Sequence, residues 1–189
     1  MKHKSVVVLA SGTGSLLESI IRSSGDGYEV VGVVVDRDCR ATTVASDEGV
    51  AVEAVIYKEY SNREDWDQAL TAAVAKFDAD LIVSAGFMRI LGSAFLCRFE
   101  GSVINTHPAL LPSFKGAHAV RDALEYGVKI TGSTVHLVDA GVDTGRIIAQ
   151  VAVPVEPGDT EGSLHERIKV AERDLIVRVL NSSNPCEAQ

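Results

Sequence analysis

The chain has 189 residues, 46% of them hydrophobic and 23% charged, with a formal net charge of −8. That length suits a single domain spanning residues 1–189 with a substantial buried core. The acidic balance excludes a basic surface for nucleic acid or anionic membrane, but not a small anion held by backbone N–H groups. Cys39, Cys97 and Cys186 are scattered and form no C-x-x-C pair, so they read as free thiols in a reducing compartment. The run that starts at Val6 is too short for a signal h-region or a membrane span. A cytoplasmic protein is expected, and its oligomeric state is open between monomer and homodimer.

Val6–Ala10 is a continuous valine-rich run, as in a strand buried on both faces. A glycine-rich turn follows, then Leu16, Leu17, Ile20 and Ile21 at helical spacing. Glu29–Val35 predicts a second strand, Arg40–Glu48 a short helix stopped at Gly49, and Val52–Ile56 a third strand. Ser61-Asn62-Arg63-Glu64 fits a capping box with Ser61 as the cap, ahead of a helix that buries Trp66, Leu70, Ala73 and Phe77. Leu81–Val83 and Val103-Ile104 predict strands four and five, Gly132–Asp139 a sixth and Ile147–Val155 a seventh. A last helix over about 160–180 buries Leu164, Ile168, Ala171, Leu175 and Val179. The tail, Asn181–Gln189, carries turn formers without periodicity and is expected to be disordered. Strands alternating with helices predict an α/β Rossmann-like domain with a mostly parallel seven-stranded sheet, whose ligands sit beyond the carboxyl ends of the strands.

Gly12-Thr13-Gly14-Ser15 lies at the first such end. Glycines admit close backbone approach, and the helix N-terminus presents free N–H groups and a positive dipole end. A phosphate cradle and a plain tight turn both fit. Leu17 stands where a dinucleotide fingerprint needs its third glycine, although Asp36 sits where a ribose-binding acid would.

Asn105 and His107, two apart after the fifth strand, can face one site. Asp143, in the loop from Asp139 to Gly145, would lie at the same sheet edge. An amide N–H and an imidazolium suit the oxyanion of acyl transfer, with a carboxylate to orient the ring and move protons. The blander readings are a satisfied strand-end histidine and a turn-forming aspartate. His136, between Val135 and Leu137, reads as a core residue, and His3, His118 and His165 as surface groups. No histidine or cysteine pair has metal-ligand spacing, so no metal is expected.

Gly12–Ser15, Ala85-Gly86-Phe87-Met88-Arg89-Ile90-Leu91, Asn105-Thr106-His107-Pro108-Ala109-Leu110-Leu111-Pro112 and Val142–Gly145 occur in that order. Together they resemble the 10-formyltetrahydrofolate-dependent formyltransferases of the glycinamide ribonucleotide type, over residues 5 to about 180. The resemblance implies formyl transfer from 10-formyltetrahydrofolate to the amine of 5-phosphoribosylglycinamide. It implies Asn105, His107 and Asp143 as the catalytic trio. It places the substrate phosphate on Gly12, Thr13, Gly14 and Ser15, with Pro108, Lys169 and Glu172 also on the substrate. It gives the folate to Arg63, Met88, Arg89, Ile90 and Leu91, to Asn105, and to Asp139, Ala140, Gly141 and Asp143. Leu16, Thr106, Val120 and Arg146 depart from the family pattern, and none is a catalytic residue. A formyltetrahydrofolate deformylase-like hydrolase and a non-catalytic phosphate-binding module are the rivals. The segment Ser113–Ala117 suits a lid.

Overall fold

A computed structural model describes residues 3–25 and 27–186. The strands are β1 (Lys4–Ala10), β2 (Tyr28–Val35), β3 (Val52–Ala54), β4 (Leu81–Ser84), β5 (Val103–His107), β6 (Ile130–Leu137) and β7 (Ile147–Pro154). They form a seven-stranded sheet in the order β3-β2-β1-β4-β5-β6-β7. Pairing is parallel for β1 with β2, β1 with β4 and β2 with β3, and antiparallel for β6 with β7. The helices are α1 (Ser15–Arg22), α2 (Arg40–Asp47), α3 (Arg63–Ala75), α4 (Ser93–Arg98), α5 (Ala119–Tyr126) and α6 (Glu161–Asn181). The mostly parallel α/β architecture expected from the alternation of elements is the one observed.

The chain divides into two compact units, residues 1–104 and 105–189. In the first, Val6–Ala10 and Leu81–Ser84 are buried along their whole lengths. That is why these strands read as unbroken apolar runs rather than as alternation. Leu17, Ile20, Trp66 and Leu70 add the helix faces to this core. Phe77 lies beyond the end of α3 and sets its ring against Gly32, where any Cβ would clash at 2.3 Å. In the second unit, Val120, Val153, Leu164 and Ile168 form a buried cluster, with Ala171 packed partly buried against it.

Four elements, α3, β5, α4 and α5, differ from the sequence reading. The cap of α3 is Asn62 rather than Ser61: its side chain accepts from the Asp65 N–H at 2.9 Å and donates to the Asp65 carboxylate at 2.7 Å. The cap is thus shifted by one residue, since asparagine caps as well as serine, and the backbone-reaching half of a capping box is not formed. Strand β5 runs through His107, so Asn105 and His107 are strand residues rather than loop residues. Helices α4 and α5 carry too few periodic residues to stand out. Helix α6 follows a capping box built by Thr160 and Ser163 and extends through Asn181. Beyond it, the Cys186 carbonyl accepts a hydrogen bond from Arg146. The tail expectation for residues 187–189 lies outside the described residues. Among the described residues, no helix is long and apolar enough to cross a membrane.

Candidate active site

In the first unit, Gly12–Ser15 joins β1 to α1. Gly14 caps the helix in the left-handed region at φ 74°, with no side chain capping the helix N–H groups. Its φ favours glycine, and an added Cβ would meet the Ala41 Cα at 3.0 Å. The Gly12 carbonyl accepts from the Ala41 N–H, and the Thr13 carbonyl from the Arg40 guanidinium. The loop is therefore anchored through its carbonyls, which leaves the N-terminal end of α1 as the anion-attracting side.

Met88-Arg89-Ile90-Leu91 follows β4 as an irregular segment, not as the start of a helix. Met88 and Ile90 are 69% and 57% exposed, while Leu91 is buried. Exposed apolar side chains beside irregular backbone suit a flat heteroaromatic ligand. The segment is held from three sides. Ser11 accepts the Met88 N–H at 2.9 Å, Arg63 donates to the Ile90 carbonyl at 2.7 Å, and Asp36 accepts from Arg89 Nε at 2.8 Å. Just beyond, the buried Asp67 carboxylate accepts from the N–H groups of Gly92, Ala94 and Phe95, capping α4.

In the second unit the trio converges. Asn105 and His107 share one face of β5, because residues two apart on a strand do. His107 is buried, with Nδ1 3.3 Å from Asp143 Oδ2 and Nε2 2.8 Å from the Phe114 carbonyl. Both neighbours are hydrogen-bond acceptors. Asp143 also accepts the Gly116 N–H at 2.8 Å. Its carboxyl is held down at about 2, mainly by the neighbouring His136, opposed by burial, with further help from the Gly116 N–H and from His107.

His136, read from the sequence as core, is buried but belongs to this cluster. Its Nε2 lies 3.2 Å from Asn105 Nδ2 and 3.6 Å from Asp143 Oδ1, and its Nδ1 lies 2.8 Å from the Leu137 carbonyl. Flanking valine and leucine hid it; its place on β6 opposite β7, next to the loop that carries Asp143, is a tertiary fact. Behind the turn after His107, Thr134 donates to the Ala109 carbonyl and accepts the Leu111 N–H, which fixes the backbone that follows Pro108.

The remaining predicted residues are placed as follows. Asp139 accepts from the Gly141 N–H and the Thr144 hydroxyl, closing the exposed loop that contains Ala140. Glu172 shares a hydrogen bond with Thr106, and burial raises its pKa above the usual carboxylate value. Lys169, one turn earlier on α6, pairs with Glu166 at 2.7 Å. Among the described residues, no group of three or more His, Cys, Asp or Glu side chains is placed to hold a metal ion.

The sequence profile of the formyl transferase family matches residues 4–180. The chain is 59% identical over 174 residues to a phosphoribosylglycinamide formyltransferase of Mycobacterium tuberculosis, covering 91% of this chain and 81% of that protein. It is 40% identical over 183 residues to the human trifunctional purine biosynthetic protein adenosine-3, covering 95% of this chain and 18% of that one. The crystal structure of glycinamide ribonucleotide transformylase 1 from Symbiobacterium toebii superposes with a TM-score of 0.91 at 38% identity, covering 95% of this chain and 86% of that one.

Proposed function

The chain belongs to the formyl transferase family, and we propose that it moves the formyl group of 10-formyltetrahydrofolate onto the amine of 5-phosphoribosylglycinamide, a step of purine biosynthesis. The observation that carries this reading is the pair of contacts at His107. One ring nitrogen faces a carboxylate and the other points its N–H at a carbonyl oxygen, that of Phe114, at 2.8 Å. A formyl oxygen in the place of that carbonyl would receive the same N–H. As negative charge builds on it during attack by the amine, the bond strengthens, which is the form catalysis takes when binding favours the transition state. Asn105 supplies a second N–H from the same strand face. Asp143 supports the charge on His107 and relays the proton lost by the attacking nitrogen, directly or through water, to the folate nitrogen as its bond to the formyl carbon breaks and tetrahydrofolate leaves.

The other assignments follow from chemistry and resemblance. The N-terminal end of α1 suits the substrate phosphate, the half-buried Glu172 carboxyl a ribose hydroxyl, and the exposed Met88 and Ile90 side chains the pterin. Lys169 is the weaker phosphate ligand, since Glu166 already holds its ammonium. Pro108, Arg63 and the loop Asp139–Asp143 keep the roles the resemblance gives them. We place the enzyme in the cytoplasm.

Absorbance at the folate band tests the reading, with the formyl donor supplied with and without the amine substrate. Tetrahydrofolate release only with the amine supports transfer. Release without it points to a deformylase-like hydrolase, and no release from folded protein points to a phosphate-binding module.

A further inference from the structure

Asp36 stands at the carboxyl end of β2, where a dinucleotide-binding fold keeps the acid that binds ribose. Here the carboxylate is 1% exposed and already fully engaged. Arg37 grips both of its oxygens, at 3.1 Å from Nε and 2.9 Å from Nη2. Arg89 donates to it from Nε at 2.8 Å. Ser11 hydrogen-bonds to it as well, while the same hydroxyl accepts the Met88 N–H at 2.9 Å. The backbone carbonyl of Asp36 takes the Tyr57 N–H at 3.0 Å, and the Arg89 guanidinium lies 4.1 Å from the centre of the Tyr57 ring. One residue thus orders Arg89 through both its side chain and its backbone, and Met88 through Ser11.

We infer that Asp36 is a positioning residue for the folate-reading segment Met88–Leu91, and that it has no ribose to bind. This rests on the proposed assignment of that segment to the cofactor. A carboxylate removed from water persists only where its lone pairs are filled by charged donors, so the cluster forms as a unit or not at all. Its members come from the ends of β1 and β2 and from the segment after β4, the places whose relative positions decide where the backbone of Arg89 and Leu91 faces a ligand. A carboxylate with these donors in place has no free lone pair directed at a sugar hydroxyl. The Arg89 side chain, shared between Asp36 and Tyr57, acts by holding its own backbone.

The test is calorimetric titration of the full-length enzyme with tetrahydrofolate, for the wild type and for Asp36→Asn, Ser11→Ala, Arg89→Met and the Asp36→Asn/Arg89→Met double variant. Losing a charge-assisted hydrogen bond should raise the Kd about tenfold or more in Asp36→Asn. The KM for the formyl donor should rise in step, with kcat at saturating donor and the KM for the amine substrate held. Ser11→Ala removes no charge and keeps the fold should Asp36→Asn fail to express, and it should shift in the same direction. Because Asp36 acts in large part through Arg89, the double variant should lose less affinity than the two single losses combined. Unchanged affinity in Asp36→Asn or Ser11→Ala beside a wild type that binds would overturn the inference, as would additive losses in the double variant. A wild type that does not bind tetrahydrofolate would overturn the folate assignment and the inference together.

Discussion

His136 Nε2 lies 3.2 Å from the side-chain nitrogen of Asn105, while His136 Nδ1 faces the Leu137 carbonyl at 2.8 Å. A carbonyl only accepts, so Nδ1 carries the proton, and in the neutral ring Nε2 is left as an acceptor. It takes one N–H of Asn105 and so fixes which way that amide is turned, leaving the second N–H for the oxyanion of the proposed reaction. Protonating the ring removes the acceptor and offers a donor toward Asp143 Oδ1, 3.6 Å away, which would turn the Asn105 amide round. Replacing His136 with Phe should therefore lower kcat about tenfold, less than the roughly 10²–10³ for an oxyanion donor removed outright, and leave the substrate KM values near the wild type. His136→Gln, whose carbonyl can accept from Asn105, should recover part of that loss. Equal kcat in His136→Phe and wild type would show that Asn105 orients itself.

For His107 the expectation is larger. His107→Ala removes the N–H that the proposed mechanism aims at the reacting oxygen and takes the imidazole from beside Asp143. Turnover should fall by about 10²–10³, whereas the melting temperature should change only modestly, because the Gly116 N–H still holds Asp143. Steady-state kinetics beside a thermal melt separates the two effects. Near-full turnover would take His107 out of the chemistry.

Asp143 gives the protein an acid-side signature. Its carboxyl is lowered from 3.8 to about 2, so the folded state holds the charged form more firmly than the unfolded chain does. The contribution, about 2 kcal/mol, is fully present above pH 3.8 and fades as pH falls through about 2. Asp143→Asn should flatten the pH dependence of unfolding free energy across that window, measured by urea melts at a series of acid pH values. Slopes equal to those of the wild type would mean that the carboxylate gains nothing on folding.

The parts of this protein that could be read from its sequence are those governed by near neighbours. Val6–Ala10 announces a buried strand, and Leu164, Ile168, Leu175 and Val179 a buried helix stripe, because burial and period are local properties. Asn105 and His107 could be paired because they share a strand face. What stayed hidden depends on chain segments brought together by folding. His136 looks like any strand histidine until β6 sets it beside Asn105, 31 residues away. Asp36 carries half of a dinucleotide signature, and only the approach of Arg89, 53 residues on, shows how the carboxylate is used. The segment Ser113–Ala117 contains two left-handed residues, Phe114 at φ 53° and Gly116 at φ 92°, whose backbones meet His107 and Asp143 of the proposed trio.

Gly145 provides a final test, because it ties the fold to the site. A Cβ there would stand 1.8 Å from the Leu137 carbonyl oxygen, a backbone atom that cannot swing aside. Leu137 ends β6, its N–H donates to the Arg146 carbonyl at 2.9 Å, and its own carbonyl holds His136 Nδ1. Gly145→Ala must therefore push the strand end and the loop apart, at a cost on the order of 3 kcal/mol. The loop that closes through Asp139, Gly141 and Thr144 carries Asp143 with it, so the displacement reaches His107 and His136. Both the melting temperature and kcat should drop. In Gly12→Ala, where an added Cβ meets no atom within 4 Å, the melting temperature should hold. If Gly145→Ala melts like the wild type, the close approach of β6 and the loop is not what places Asp143, and its position must come from Gly116 and the two histidines alone.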